Sequence, residues 1–326
     1  MQPGQKRLPL VDQARGLCLW AMVAFHLTWD LAHFGWIDSR FPFAPGFRWF
    51  GHAIAAGFLL LAGFSLVLAR GQDGVSLWRR ASFWRRWLRI VVAAAAITLV
   101  SLYLFPNAPI FFGILHCIAL SSLIALAFVE APPLLTLLAA SLSLAAPLLA
   151  SPRFNAPIFW WTGLSSFYPP SNDYRPLFPW LGLVLLGVAL GKRAPYAPAP
   201  HARPLPASEA RVNSALGFCG RHSLAFYLIH QPILYGLVAA LSWAAPLPKP
   251  QLPEQAFVAQ CIAQCRSQGA EAGLCQKSCA CVLQRVKAEN LWDALAQERL
   301  TEAQKSRVHD AAIACYTDAA SGKISP

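Results

Sequence analysis

The stretch Val11–Trp36, VDQARGLCLWAMVAFHLTWDLAHFGW, governs how the rest of the chain is read. It opens with Asp12 and Arg15, runs apolar for about three turns, and then carries His26, Asp30 and His33 where a helix would lie deep in hydrocarbon. Ionisable groups in that setting are costly, so they face a protein interior or a wet cavity and mark a functional site. His26 and Asp30 are four residues apart and share a helix face, where the carboxylate can hold the imidazole in one orientation. That pattern places a base beside its orienter.

Composition fixes the class. With 56% hydrophobic and 13% charged residues among 326, and a mean hydropathy of +0.44, the chain is unlike any ordinary soluble domain. It reads as an all-α polytopic membrane protein whose first partners are membrane lipids. The net charge of +12 does not indicate nucleic acid. Up to Pro250 there are 19 Lys and Arg against 7 Asp and Glu, and from Gln251 onward 8 against 8, so the excess belongs to the membrane part.

Seven apolar segments approach the length that crosses about 30 Å of hydrocarbon: 14–36, 48–69, 88–105, 109–129, 132–150, 177–191 and 213–243, the sixth extendable back to Asp173. The first is expected to be retained as an anchor, because no small-residue cleavage site follows it. With the amino terminus inside, Lys6, Arg7, Arg15, Arg70, Arg79, Arg80, Arg85, Arg86, Arg89, Lys192, Arg193, Arg203, Arg211 and Arg221 fall at the inner face. The expected location is a bacterial inner membrane, with the carboxyl-terminal tail in the periplasm. Leu77–Arg89, LWRRASFWRRWLR, suits an amphipathic stretch in the inner interface, where its arginines could also receive an anionic cofactor. Residues 196–206, rich in Pro and Ala, read as a loop. The outer loop 151–176 carries Trp160, Trp161, Tyr168 and Tyr174, either as an interface belt or as a surface for a sugar.

The chain divides into a transmembrane domain over 1–245 and a soluble helical cysteine-rich tail over 246–326. The tail holds two CxxxC pairs, Cys261 with Cys265 and Cys275 with Cys279, followed by Cys281 and Cys315. On antiparallel helices these could join as Cys261–Cys279 and Cys265–Cys275, leaving Cys281 for Cys315. Six cysteines allow fifteen connectivities, and a zinc site competes; the outside location favours disulfides. Cys18, Cys117 and Cys219 lack a shared ligand spacing and read as small apolar fillers.

His26 lies roughly 18 Å from the inner boundary, and His116 and His230 reach a similar depth from their own segments. His52 and Asp30 sit just above this layer. A neutral imidazole there can take a proton from an amine or hydroxyl attacking a carbonyl, and the layer can steady an oxyanion. His222, in GRHS, is at the inner end of the last segment, placed to meet a phosphate or cap the helix.

Five stretches together resemble a known family: VDQARGLCLWAMVAFHLTWDL (Val11–Leu31), GFLLLAGFSL (Gly57–Leu66), GILHCIAL (Gly113–Leu120), DYRPLFPWLGLVLLGVALG (Asp173–Gly191) and GRHSLAFYLIHQP (Gly220–Pro232). They are similar to bacterial relatives of the catalytic domain of heparan-alpha-glucosaminide N-acetyltransferase, within the transmembrane acyltransferase superfamily. The resemblance implies acetyl-CoA as co-substrate, bound from the cytoplasm, and an acceptor reached from the other side. In the animal enzyme the position matching His26 is asparagine, and its active histidine has its nearest counterpart here in His33. The cysteine tail is no part of the family pattern, and a heparan substrate does not carry over.

The expected function is a membrane acyltransferase moving an acetyl group to an amine or hydroxyl of an outer-face or lipid-linked glycan. His26, Asp30, His116 and His230 are the catalytic candidates. Arg15, Arg89, Arg221 and His222 are the candidates for CoA, and His33, His52 and Asp173 stand on the acceptor side. No metal or haem is expected, and a homodimer is possible. The alternative is a proton-coupled transporter or exporter built on the same His/Asp layer, although no inverted repeat is evident. A haem protein ligated by His26 and His116 is a third reading.

Overall fold

The computed structural model describes residues 8–70, 75–193, 207–245, 254–267, 270–296 and 300–323. Lys6, Arg7, Arg203, the Arg211 side chain and the loop expected at 196–206 lie outside the described residues. The chain forms two compact units, Met1–Leu241 and Ser242–Pro326. Among the described residues all regular structure is helical.

The first unit comprises α1 (Pro9–His33), α2 (Pro45–Ala69), α3 (Ala81–Leu104), α4 (Ile114–Val129), α5 (Pro133–Ala145), α6 (Leu177–Arg193), α7 (Ala207–Arg221) and most of α8 (Ser223–Ala244). Three of these helices, α2, α3 and α8, are long and apolar enough to cross a membrane; α4 and the segment Pro133–Leu149 are shorter apolar helices. Proline opens α1, α2 and α5 within the first two positions, where its missing N–H costs nothing. The apolar surface of α3 and α8 is largely turned outward, as lipid requires. Leu99, Tyr103 and Trp243 are 69%, 86% and 88% exposed.

The core joins α2, α4, α5 and α6 around Leu59, Cys117, Ala125, Val129, Ala140, Val184, Leu185 and Val188. Glycine makes the closest approach possible. A Cβ on Gly63 would lie 1.9 Å from the Val184 carbonyl oxygen, and one on Gly187 would lie 2.0 Å from that of Leu60. The backbones of α2 and α6 therefore touch, a small-residue packing suited to a bundle in lipid. Lys192 closes the inner part of this core by donating to the Phe128 and Ala131 carbonyls at 2.5 and 2.6 Å and to the Thr136 hydroxyl at 2.8 Å. A cation thus meets the carboxyl end of α4, where the helix dipole favours it.

One sequence expectation is corrected. The segment 213–243 is not one helix. α7 ends at Arg221 and α8 begins at Ser223, with His222 between them. Gly16 lies against the Leu216 carbonyl and Gly220 against that of Asp12, so α7 runs opposite to α1. The pairs His26–His230 and His33–Tyr235 instead follow α1 in the same sense. The chain direction relative to α1 reverses at His222, and no proline announces it. In Leu77–Arg89, Leu77–Arg79 forms a 3-10 turn and α3 starts at Ala81. The sixth segment begins at Leu177 as placed, and Asp173 belongs to the preceding loop.

The second unit contains α9 (Glu254–Ser267), α10 (Ala272–Ala288), α11 (Trp292–Ala296) and α12 (Glu302–Ala320). Disulfides join Cys261 to Cys279, Cys265 to Cys275 and Cys281 to Cys315. No tail thiolate is left for a metal. A small core of Val282, Val286, Leu291 and Cys315 lies beneath Phe257 and Trp292. Asn290 takes the left-handed conformation just past α10, φ 54°, a common helix stop. The ion pairs Arg285–Asp318 and Lys287–Glu254, each 2.7 Å, and Arg307–Glu289, 2.6 Å, tie the helices at the surface.

Candidate active site

The second half of α1 and the middle of α8 bring four polar side chains together. The His26 and His230 rings lie 5.0 Å apart between centroids, inclined by 59°. One turn beyond His26, Asp30 is 3% exposed, and its Oδ1 accepts a 2.9 Å hydrogen bond from Gln231 Nε2. No hydrogen bond joins Asp30 to His26. The shared helix face was correctly read, but the short carboxylate turns across to α8, so Asp30 orients Gln231 and not His26.

His230 is 9% exposed, and its Nδ1 lies 2.7 Å from the Tyr227 carbonyl oxygen. A carbonyl only accepts, so Nδ1 carries the proton and Nε2 of the neutral ring presents a lone pair. That Nε2, Asp30 Oδ2 and Gln231 Oε1 are all buried, and none has a hydrogen-bond partner among the described residues. Buried polar atoms are ordinarily paired. Three unpaired acceptors thus lie buried where α1 meets α8.

The other sequence candidates fall elsewhere. Both nitrogens of His116 serve local structure. Nδ1 accepts from the Gly113 N–H at 3.2 Å, closing the first turn of α4, and Nε2 is 3.1 Å from Thr98 Oγ1, whose hydroxyl donates to the Ile110 carbonyl at 2.7 Å. His116 therefore binds α3 to the start of α4. Asp173 also serves α4: its Oδ2 accepts the Ile114 N–H at 2.9 Å, a carboxylate at a helix amino terminus. A Cβ on Gly113 would meet that oxygen at 2.6 Å, so glycine is needed there. His33 is exposed at the end of α1, 3.5 Å from the Tyr235 hydroxyl. His52 sits between Trp49 and Trp180, 5.8 Å from each ring. In the loop before α6, burial and the neighbouring Tyr168 push the Tyr174 phenol up to about 12, so it remains a donor to the Trp160 carbonyl at 2.6 Å.

At the opposite end of the bundle, Arg15 pairs with Asp12 at 3.0 Å and donates to the Ser65 hydroxyl. Gly220 against the Asp12 backbone brings Arg221 to the same end. Arg89 donates to the Arg85 carbonyl at 3.3 Å, and His222 Nδ1 is 3.0 Å from the Phe218 carbonyl. The sequence did not single out Arg86. It lines a cavity of about 170 Å³ between α2, α3 and α4, with Ser82 and Ser122 as polar neighbours and Leu66, Phe83 and Ile90 as apolar ones. It lies within electrostatic reach of Arg15, Arg89 and Asp12. Its position in the Arg-rich run was visible, but which arginine turns inward depends on the phase of α3.

The description of the family that matches residues 7–232 is "Heparan-alpha-glucosaminide N-acetyltransferase, catalytic". The chain belongs to this family. The match covers the whole α1–α8 crevice except its last turns and leaves out the cysteine-rich unit. No curated protein and no solved structure matches the chain. Membership, together with the long apolar helices, makes this a membrane protein of an acyltransferase family. Among the described residues no group of three or more His, Cys, Asp or Glu side chains is placed to hold a metal.

Proposed function

We propose that this protein moves an acetyl group from cytoplasmic acetyl-CoA to a primary amine of an outer-face or lipid-linked glycan, and that the amine is held between α1 and α8. The carrying observation is the set of three buried, unpaired acceptors: Asp30 Oδ2, Gln231 Oε1 and His230 Nε2. An ammonium has three donors and no acceptor, whereas a hydroxyl has one donor and itself needs donors. A buried carboxylate also requires a positive partner, and a cationic amine supplies it. This favours an amine over the hydroxyl that the sequence leaves equally open.

His230 Nε2, its orientation held by the Tyr227 carbonyl, takes one proton from the bound ammonium and so frees the lone pair that would form the C–N bond; the C–S bond of the donor would break as it forms, and the departing thiolate would take up the second N–H proton. His26, against the same ring, shields the pair and stabilises the charge that His230 acquires. Asp30 binds the ammonium and Gln231 fixes Asp30. Acetyl-CoA, when bound, supplies the activated acyl group. The slot beside Arg86, apolar along most of its wall and cationic at its end, fits a ligand with an apolar arm and phosphates; Arg15, Arg86, Arg89 and Arg221 would hold those phosphates. Seven crossings with the amino terminus inside are part of this reading, as are a bacterial inner membrane and a periplasmic tail. The positive-inside asymmetry and the three disulfides support them.

The test is acetyl transfer by purified protein in lipid nanodiscs, with glucosamine and glucose as paired acceptors. The expected product is N-acetylglucosamine with little acetylated glucose. His230→Ala should lower turnover at least about 100-fold while acetyl-CoA binding is kept. Equal transfer to both sugars would remove the amine assignment, and folded protein that binds no acetyl-CoA would remove the activity.

A further inference from the structure

At the mouth formed by the start of α2 and the loop before α6, a second group of side chains takes no part in the crevice chemistry. Arg48 precedes His52 by one helical turn, so both project from the same face of α2. His52 lies between Trp49 and Trp180, and the Arg175 guanidinium stands 5.3 Å over the Trp180 ring. Arg175 is held from behind by the Tyr174 carbonyl at 2.9 Å, with a side chain 18% exposed. Asp173 pairs with it through Oδ1 at 3.9 Å, while the other oxygen of that carboxylate accepts the Ile114 N–H. Arg48 is exposed and has no ion pair among the described residues. Trp49 and Tyr168, 73% and 66% exposed, flank the cations with open ring faces.

One guanidinium without an ion pair among the described residues, a second held in place by Asp173 and the Tyr174 carbonyl, and an imidazole beside exposed aromatic rings match an oxyanion carried on a sugar. The guanidinium fork suits phosphate or carboxylate oxygens, and flat rings suit the apolar face of a pyranose. The position is also apt. Phe25 of α1 stacks at 4.8 Å on Phe47 of α2, so the helices that carry His26 and Arg48 meet at this level. We infer that Arg48, Arg175 and His52 form an oxyanion subsite on an aromatic shelf of Trp49, Trp180 and Tyr168, and that the acceptor is an amino sugar bearing a phosphate. This names the acceptor class of the activity proposed above, but the subsite's binding can be measured without transfer.

The experiment is calorimetric titration of the full chain in nanodiscs with glucose 6-phosphate, glucose and polyprenyl phosphoglucose. None of these carries an amine, so failure of the acetyl-transfer reading leaves the result intact. Glucose 6-phosphate is expected to bind at least about tenfold more tightly than glucose. Arg48→Gln, an exposed change that removes no structural bond, should abolish that preference, and Arg175→Gln should do the same. Asp30→Asn should leave it unchanged. Tighter binding of polyprenyl phosphoglucose than of glucose 6-phosphate would place the phosphate on a lipid carrier, and the reverse would place it on a free sugar; either supports the subsite if Arg48→Gln removes it. Equal affinity for glucose and both phosphorylated probes, or full binding of the phosphates by Arg48→Gln, would overturn it.

Discussion

In the proposed reaction the base is His230 and not His26, because the His230 ring has one nitrogen held by a carbonyl and the other left as a lone pair. We therefore expect His230→Ala to cost more turnover than His26→Ala, measured as kcat with saturating acetyl-CoA. Asp30→Asn tests the charge: it keeps the shape and the Gln231 bond but removes the partner of an ammonium. It should raise KM for glucosamine at least about tenfold. Gln231→Leu leaves Asp30 Oδ1 buried without a donor and should lower stability by about 1–3 kcal/mol, read from unfolding in detergent. His116→Ala, in contrast, should disturb the start of α4 and lower stability with turnover per folded molecule retained. A collapse of kcat in well-folded His116→Ala protein would return that histidine to the chemistry.

The helices place these residues through backbone contact. The face of α2 that meets α6 depends on Gly63 and Gly187, whose absent side chains let carbonyl oxygens approach within van der Waals distance. Gly63→Leu must part the two helices, and a loss of about 1–3 kcal/mol or more is expected, seen as lower thermal stability in detergent. Lys192→Met removes three hydrogen bonds at the carboxyl end of α4 and should also destabilise, by a further measure of the same assay. The α7–α8 break has a functional consequence. Because the direction reverses at His222, α8 can run beside the second half of α1 while α7 closes the opposite end, where Arg221 joins Arg15. A continuous helix over 213–243 could not serve both places.

At the level of the whole chain, the two units are held by different forces. Residues 8–241 rely on helix packing with their outer surface in lipid, whereas the cysteine-rich unit has only a small core and is stabilised by its three cross-links. Closing loops of 10, 18 and 34 residues removes denatured-chain entropy worth about 2–4 kcal/mol each. Dithiothreitol should therefore expose 254–323 to limited proteolysis while acetyl-CoA binding persists. Loss of acetyl-CoA binding on reduction would show that the first unit depends on the tail.

Membrane insertion, the helical class and the family were legible in the linear sequence, since hydropathy and motif order are properties of neighbouring residues. The sequence also grouped His26, His116 and His230 in one layer with Asp30 beside it, because charge inside an apolar run is conspicuous wherever it falls; the structure gathers His26, His230 and Asp30 and sets His116 apart. Partner choice was not legible. That Asp30 reaches Gln231, that His116 spends both nitrogens on a helix start, and that Arg86 faces the cavity depend on rotamers and helix phase. Those are set when separate helices meet. The reversal at His222 was hidden for a related reason: Gly16 and Gly220 only permit a close approach, and the packing of α7 on α1 turns that permission into a bend. Periodicity can assign a residue to a face, but what stands opposite that face is supplied by the rest of the fold.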